Sequence, residues 1–165
     1  MMILGIDPGL AIVGYGIIEQ KSDRYIPVEF GAIRTDSKDE LDQRLWEIFE
    51  RLSEIFKRFE ITEVAVEELF FSKNAKTAMV VGHARGVVLL TARLFKKPVF
   101  TYTPNQIKQA ITGYGSAQKF QVQSMVRTLL SLKDIPKPDD AADALACAIC
   151  HINSRGVLTK IKERK

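Results

Sequence analysis

Four acidic side chains of this sequence lie where a lone carboxylate is costly. Asp7 and Glu67 each stand at the end of a short apolar run, and Asp140 and Asp143 lie in a segment of alanines near the carboxyl end. Their i, i+3 spacing places Asp140 and Asp143 on one face of a helix. Carboxylates in apolar surroundings repel one another unless a cation holds them, and hard divalent cations prefer oxygen ligands. The four residues are therefore candidate metal ligands.

Two divalent cations on such a cluster are suited to phosphodiester cleavage, because one ion activates water and the other stabilises the leaving oxygen. Each acid also has a structural explanation when taken alone. Asp7 can cap a turn, and Asp140 can cap the last helix. Taken together, the four acids favour a metal-dependent nuclease.

Two neighbouring acids are alternative candidates for membership of this cluster. Asp139 and Asp143 at i, i+4 spacing also share a helical face. Glu68 adjoins Glu67, although the alternation of side chains in an extended strand points the two to opposite sides. The residues alone do not decide whether Asp139 or Asp140 is the metal ligand on this helix.

The charged residues are distributed unevenly along the chain. Residues 1–68 contain fifteen Asp or Glu and eight Lys or Arg, whereas the basic segment, residues 69–133, contains ten Lys or Arg and no acid. A long field of one sign attracts a polyanion, usually nucleic acid. Within this segment we predict DNA contacts by Lys73, Lys76 and Arg85. The alternative is a basic surface kept only for solubility.

The hydrophobic pattern predicts the elements that must position these side chains. Apolar runs bounded by turn residues predict strands, and apolar recurrence at three- and four-residue spacing predicts helices. The predicted strands are Met2–Asp7, Val13–Glu19, Tyr25–Arg34, Val64–Glu67 and Val99–Tyr102. The predicted helices are Leu41–Phe59, one from the cap Asn74 to Leu94, a short one from Pro104, Gln118–Leu132 and Asp139–Asn153.

This order predicts an α/β fold with a mixed five-stranded sheet flanked by helices, its first three strands forming an antiparallel meander. The length fits one nuclease domain over residues 1–153, followed by a basic C-terminal tail, residues 154–165. No apolar run approaches the ~20 residues of a membrane span, and the amino end lacks a signal-peptide pattern. Cys147 and Cys150 are too few for a disulfide framework. We expect a cytoplasmic protein without a membrane partner.

Seven motifs in collinear order resemble the RuvC family of bacterial Holliday-junction resolvases. They are Ile3–Gly9, Gly14–Gly16, Ala65–Glu67, Lys73–Ala75, Ala84–Gly86, Gly113–Ala117 and Asp140–Ala146. The resemblance covers residues 2–153 and implies a ribonuclease-H-like fold, which agrees with the predicted element order. The first motif alone also suits sugar kinases and actin-like ATPases, but their two-lobed fold needs a far longer chain.

The resemblance implies that the four acids hold two magnesium ions, for which manganese can substitute. Asp7 would be the central ligand, Glu67 and Asp140 would complete the two sites, and Asp143 would assist. On the helix, the family pattern Asp-Ala-Ala-Asp assigns the role to Asp140 rather than to Asp139.

The resemblance also implies direct contacts with DNA. Lys108 and Lys119 match positions near the scissile phosphate, where an ammonium group neutralises charge that develops on the phosphate. Phe70 matches a position that stacks on a base at the opened junction centre, and such stacking contributes ~1–3 kcal/mol per base. Phe71 receives no role.

The family acts as a homodimer on four-way junction DNA, and the resemblance implies this here, together with partnership with the RuvA–RuvB branch-migration complex. A small-residue stripe, Ala75, Ala78, Gly82 and Gly86, recurs at three- and four-residue spacing. Small side chains allow a helix to approach closely either a second subunit or its own sheet. From the residues alone, the two arrangements are equally good.

The predicted function is magnesium-dependent resolution of four-way DNA junctions by paired symmetric nicks, in homologous recombination and DNA repair. A ribonuclease H acting on RNA–DNA hybrids is the enzymatic alternative. A catalytically silent junction-binding protein is the non-enzymatic one. His83 and His151 receive no role in any of these.

Overall fold

The computed structural model describes residues 1–68 and 75–162, apart from the side chains of residues 75–77 and 156–162. Its five strands form one sheet in the order β3-β2-β1-β4-β5. The strands are β1 Met2–Asp7, β2 Ile12–Lys21, β3 Arg24–Arg34, β4 Glu63–Glu67 and β5 Val99–Tyr102. The first three strands pair antiparallel, and β4 pairs parallel with both β1 and β5. The predicted mixed sheet with its antiparallel meander is confirmed.

Five helices cover the two faces of this sheet. They are α1 Leu41–Arg58, α2 Ala75–Leu94, α3 Pro104–Thr112, α4 Lys119–Leu129 and α5 Asp139–Lys162. At the start of α3, the Thr103 side chain accepts from the Gln106 N–H while the Gln106 side chain accepts from the Thr103 N–H, a capping box that satisfies two orphan donors. A left-handed Gly113 ends the helix.

Three helices end at residues other than those predicted. Helix α1 ends at Arg58, one residue before Phe59. Helix α4 ends at Leu129, three residues before Leu132, because Ser131 adopts a left-handed backbone with φ of 52°. Helix α5 continues through Gly156 to Lys162, beyond the predicted end at Asn153. The predicted division at residue 153 thus falls inside a helix, and a separate C-terminal tail stays a prediction.

Each face of the sheet has its own hydrophobic core. Helices α3, α4 and α5 pack on one face over a core that includes Ile3, Leu145 and Ile149. Helices α1 and α2 pack on the other face over a core that includes Leu4 and Ile6. Successive residues of β1 thus enter opposite cores, as expected of a strand buried on both sides. No helix in the described part of the chain has the length and hydrophobicity to cross a membrane.

Candidate active site

Asp7 and Glu67 lie at neighbouring strand ends. Asp7 is the last residue of β1, and Glu67 is the last residue of β4. The two strands are parallel, with Ile6 opposite Val66, so the next residues on each strand are Asp7 and Glu67. Paired residues of a parallel ladder point to the same face of the sheet. The sheet therefore brings these two carboxylates together at its carboxyl edge.

Helix α5 adds the second pair of acids over the same strand end. Gly14 of β2 is the partner of Asp7 in the antiparallel ladder. A Cβ atom built on Gly14 would lie 2.0 Å from the carbonyl oxygen of Asp140 and 2.9 Å from its Cβ. The start of α5 thus rests directly on the strand that flanks Asp7, and only glycine leaves room for it.

The same close contact continues along α5. A Cβ on Gly5 would lie 2.0 Å from the Ala144 carbonyl oxygen, and one on Gly16 would lie 2.7 Å from the Leu145 side chain. Gly5 and Gly16 face each other across β1 and β2, so these glycines form a flat floor under the helix. Sequence reasoning placed the glycines in strands but missed this function. The signal was available as strand glycines beside a helix rich in alanine.

Burial and mutual repulsion raise the pKa values of three of the acids. Burial raises the pKa of Asp7 to about 7, with further contributions from the charges of Asp143 and Asp140. Burial also raises the pKa of Glu67 to about 8, and the charges of Asp7 and Asp143 add to it. The pKa of Asp143 is raised chiefly by burial. The cluster is thus a buried concentration of negative charge that a cation would stabilise.

Two lysines of the basic segment reach this cluster. The Nζ atom of Lys119, at the start of α4, lies 3.1 Å from Oδ2 of Asp143 and 3.6 Å from Oδ2 of Asp139. Burial opposes the charge of Lys119, but its interactions with Asp143 outweigh that effect and raise the lysine pKa. The charge of Lys108 on α3 lowers the pKa of Glu67. Both lysines are therefore electrostatic partners of the acids.

Lys108 and Lys119 share one cleft of about 240 Å³ with two of the four acids, Glu67 and Asp143. Its lining residues are Glu67, Pro104, Ile107, Lys108, Lys119, Val122, Asp143 and Ala146. Elements from both halves of the chain thus meet here, since β4, α3, α4 and α5 each contribute side chains. A cleft with carboxylates on one side and ammonium groups on the other can hold a phosphate through bridging cations and direct ion pairs.

The two competing acids differ from the cluster in their surroundings. The Asp139 side chain is about half exposed, at 47%, and pairs with Lys137 at 3.2 Å. Its hydrogen bond from Lys137 lowers the Asp139 pKa, whereas burial raises the pKa values of Asp7, Glu67 and Asp143. Glu68 follows the end of β4 and is exposed.

The donor set suits a hard divalent cation, because it consists of partly buried carboxylates, three of which have pKa values raised by burial. The four carboxylate side chains do not converge on a single point. Within residues 1–68 and 75–162, no three carboxylate, imidazole or thiol groups form a closed metal site. Asp143 instead forms an ion pair with Lys119. The fit to metal thus rests on the chemistry and burial of the donors.

The other predicted DNA contacts are only partly within the described residues. Phe70 and Lys73 lie outside them, as does the side chain of Lys76. Arg85 on α2 donates from Nη2 to Thr101 Oγ1 at 3.3 Å. Its Nε is buried and finds no hydrogen-bond partner in the structure as described. Arg85 does not line the cleft.

Comparisons with known proteins identify close relatives. A family model described as crossover junction endodeoxyribonuclease RuvC matches residues 3–151. A protein of that name from Desulforamulus reducens is 58% identical over 151 residues, covering 92% of this chain and 93% of the relative. Another from Alkaliphilus metalliredigens is 53% identical over 154 residues, with 93% and 94% covered. The solved structure of Thermus thermophilus RuvC in complex with Holliday junction substrate has a TM-score of 0.90 and 38% identity, with 94% of both chains covered.

Proposed function

Because this chain belongs to the RuvC family of crossover junction endodeoxyribonucleases, we propose that it resolves four-way DNA junctions with the four-carboxylate cluster as its hydrolytic centre. The reaction class is phosphodiester hydrolysis. The observation that carries the proposal is the meeting of Asp7 and Glu67, at the parallel ends of β1 and β4, with the start of α5 and with Lys119.

We propose that Asp7, Glu67, Asp140 and Asp143 hold two magnesium ions, which manganese can replace. When bound, the ions supply an activated water and stabilise the leaving oxygen. Asp7 is the central ligand in this assignment. The ionised carboxylates need the ions, because burial and mutual repulsion disfavour their charged forms.

Lys119 and Lys108 act on the phosphate itself in this proposal. The Lys119 ammonium stays protonated, since its contacts with Asp143 raise its pKa. It therefore remains a positive charge beside the acids, placed to neutralise charge that develops on the phosphate. Lys108 lines the same cleft and contributes charge from α3. Neither lysine is needed to hold the cations.

Lys119→Ala is expected to lower the cleavage rate at saturating junction by about 10²-fold and the junction affinity by less than about threefold, because the ammonium acts mainly in the transition state. Single-turnover cleavage and a binding titration in EDTA measure the two quantities. Lys133→Ala, on the exposed end of the basic segment, is the matched control. Equal losses of rate and affinity would reduce Lys119 to a contact that only positions the DNA.

The direct test of the function is a nicking assay on a synthetic four-way junction with magnesium. We expect paired cuts that disappear in EDTA. An RNA–DNA hybrid duplex of the same sequence is the second substrate, and preferential cutting of the hybrid would favour the ribonuclease H alternative. Junction binding without cutting in magnesium would favour the silent binding protein.

The remaining DNA contacts are proposed over the basic segment. Lys73, Lys76 and Arg85 would neutralise backbone phosphates, and Phe70 would stack on an exposed base. This proposal is supported by the absence of acids over residues 69–133. Binding through many phosphates would also weaken steeply as the salt concentration rises.

We further propose that the enzyme acts as a homodimer through α2. Gly82 and Gly86 face open space within the described part of the chain, because a Cβ on either would meet none of its atoms within 4 Å. At these two positions the stripe does not pack on its own sheet. Around it, Met79, Leu90 and Leu94 are exposed by 63%, 59% and 58%. A second copy would cover this apolar face, and a two-fold enzyme suits a junction with two equivalent strands.

The apolar face extends beyond α2. Trp46 of α1 is 58% exposed and shares a groove with Leu94. Ala78 is partly buried, and the side chain of Ala75 lies outside the described residues. A dimer contact of this kind would therefore join α2 and part of α1 of each copy.

Gly82→Leu is expected to leave the chain folded but monomeric, since leucine favours the helix while its side chain fills the proposed contact. Sedimentation velocity measures the oligomeric state, and the junction assay should then show single nicks in place of paired cuts. Thr128→Leu on α4, exposed on the opposite layer, serves as the control. A wild-type chain that stays monomeric on the junction yet makes paired cuts would contradict the dimer.

Two further proposals follow from family membership. The enzyme would act with the RuvA–RuvB branch-migration complex, which moves the junction to a cleavable position. It would act in the cytoplasm, where the bacterial chromosome is found, in recombination and repair.

A further inference from the structure

A buried chain of hydrogen bonds joins α5 to β4 and β5. The side chain of His151 is 1% exposed, and its Nε2 lies 2.7 Å from Oε2 of Glu63. Its Nδ1 lies 2.7 Å from the hydroxyl oxygen of Tyr102. The other oxygen of Glu63 accepts from Arg155 at 2.8 Å, and the Phe100 ring packs on the imidazole with centroids 4.6 Å apart. The sequence had offered no role for this histidine.

One protonation state satisfies every group in this network. A neutral imidazole with its proton on Nε2 donates to Glu63 and accepts at Nδ1 from the Tyr102 hydroxyl, a tautomer assigned from these partners. Burial lowers the pKa of His151 although Glu63 opposes this effect, so the neutral form is favoured. Removing one partner would leave a buried polar group unsatisfied, which is more costly than the average hydrogen bond is stabilising.

The network attaches α5 to both ends of the strand that carries Glu67. Glu63 is the first residue of β4, and Glu67 is the last. Tyr102 lies opposite Glu67 in the β4–β5 ladder. His151 therefore contacts the beginning of β4 directly and its end through Tyr102. The same helix carries the aspartates of the cluster at its start.

A buried polar contact can fix the position of α5 on the sheet, because the rest of the contact between this helix and the sheet is made by small side chains. Ala144 and Ala148 of α5 rest on Gly5 of β1 at close range. Small side chains allow tight packing but offer few projections to set the position of a helix along its axis, whereas a buried polar contact can specify register. A helix rises about 1.5 Å per residue, so a slip of one residue would move the aspartates by that distance. A displacement of about 1 Å can lower a rate about 10²-fold.

We propose that His151 is a positioning residue for the nuclease site: its hydrogen bonds to Glu63 and Tyr102 hold α5 in register with β4 and thereby set the separation of Asp143 from Glu67. This inference rests on the proposed function of the four carboxylates. His151 itself touches neither the DNA nor the cations in this arrangement.

The test compares His151→Leu, which removes both hydrogen bonds, with Tyr102→Phe, which removes one hydroxyl group. His151→Leu should lower the single-turnover cleavage rate at saturating junction by about 10- to 100-fold, the range typical of lost supporting hydrogen bonds around a metal site. Junction affinity in EDTA should change less than about twofold, because the phosphate contacts lie elsewhere. Tyr102→Phe should show a smaller loss of rate. His151→Gln, whose amide can donate to Glu63, should lose less of the cleavage rate than His151→Leu.

A second readout does not depend on cleavage. Binding of Mn²⁺ to the DNA-free protein, followed by electron paramagnetic resonance, should weaken several-fold in His151→Leu, because misplaced acids hold an ion poorly. The control is Thr91→Val in α2. Thr91 is fully buried and donates to the Val87 carbonyl at 2.7 Å, so this variant removes a buried side-chain hydrogen bond without touching α5. It should leave the cleavage rate and Mn²⁺ affinity unchanged.

The outcomes separate this proposal from the proposed function. Wild-type protein that fails to cut junctions in magnesium would refute the proposed function. The Mn²⁺ affinities of wild type and His151→Leu would still test the positioning role of His151. Variants at His151 and Tyr102 that lose only stability, with normal cleavage rate and Mn²⁺ affinity, would overturn the positioning role. If His151→Leu does not fold, Tyr102→Phe and His151→Gln decide the question by the same two measurements.

Discussion

Asp7→Asn is expected to lower the rate of junction cleavage by at least about 10³-fold while junction affinity stays within about twofold. The amide has the same shape as the carboxylate but loses the negative charge that a divalent cation requires. The phosphate contacts lie in the basic segment and are untouched, so binding survives. Single-turnover cleavage in magnesium and a binding titration in EDTA measure the two quantities. Glu67→Gln and Asp140→Asn should behave alike.

The same substitution should stabilise the protein when no metal is present. Burial raises the pKa of Asp7 to about 7 in the folded chain, from an ordinary value of 3.8, so the folded chain binds the proton more tightly. The contribution of Asp7 to the free energy of unfolding is then greatest below about pH 4. It falls by up to ~4 kcal/mol as the pH rises towards 7. In EDTA at pH 8, Asp7→Asn should therefore unfold at a higher temperature than wild type, and the difference should shrink towards pH 4. Added magnesium should raise the melting temperature of wild type only.

The matched control is Asp139→Asn, which removes a neighbouring carboxylate that is half exposed and paired with Lys137. It should cut at nearly the wild-type rate. Normal cutting by Asp140→Asn together with inactivity of Asp139→Asn would show that the ligands on α5 are assigned to the wrong residue.

Gly14→Ala should reduce cleavage about 10²-fold although it changes no charged group. The added Cβ would lie 2.0 Å from the Asp140 carbonyl oxygen, so the start of α5 must move by about 1 Å, and displacements of that size carry rate losses of this order. The overpacking should also lower the free energy of unfolding by ~1–3 kcal/mol. Single-turnover cleavage and urea unfolding measure the two effects.

Gly31→Ala is the corresponding control, because it makes the same substitution in the neighbouring strand β3. There the atoms nearest to the new Cβ belong to the Tyr15 side chain, at 3.0 to 3.2 Å, and a side chain can shift where a helix backbone cannot. Cleavage should stay near the wild-type rate. If both variants cut normally, α5 tolerates displacement and the glycine floor is not needed for the site.

Local patterns in the sequence were sufficient to predict most of the fold. Alternation and three- or four-residue spacing report which face of an element is buried, and Pro104 and Gly113 mark where α3 begins and ends. The placement of Asp7 and Glu67 at strand ends followed from the same patterns. Here the structure agrees closely, since periodicity and capping are properties of neighbours along the chain. The end of α5 was missed because the helix continues through Gly156, a residue type that often ends helices.

What only the tertiary structure decided depends on residues distant along the chain. The close contact of Gly14 with Asp140, the ion pair of Lys119 with Asp143 and the anchor at His151 each join elements that are separate in sequence. Such contacts depend on how a helix lies across a sheet, and a one-dimensional pattern does not encode that angle or offset. The sequence by itself therefore determined which side chains carry the chemistry, while the packing of α5 on glycine strands decided how those side chains meet.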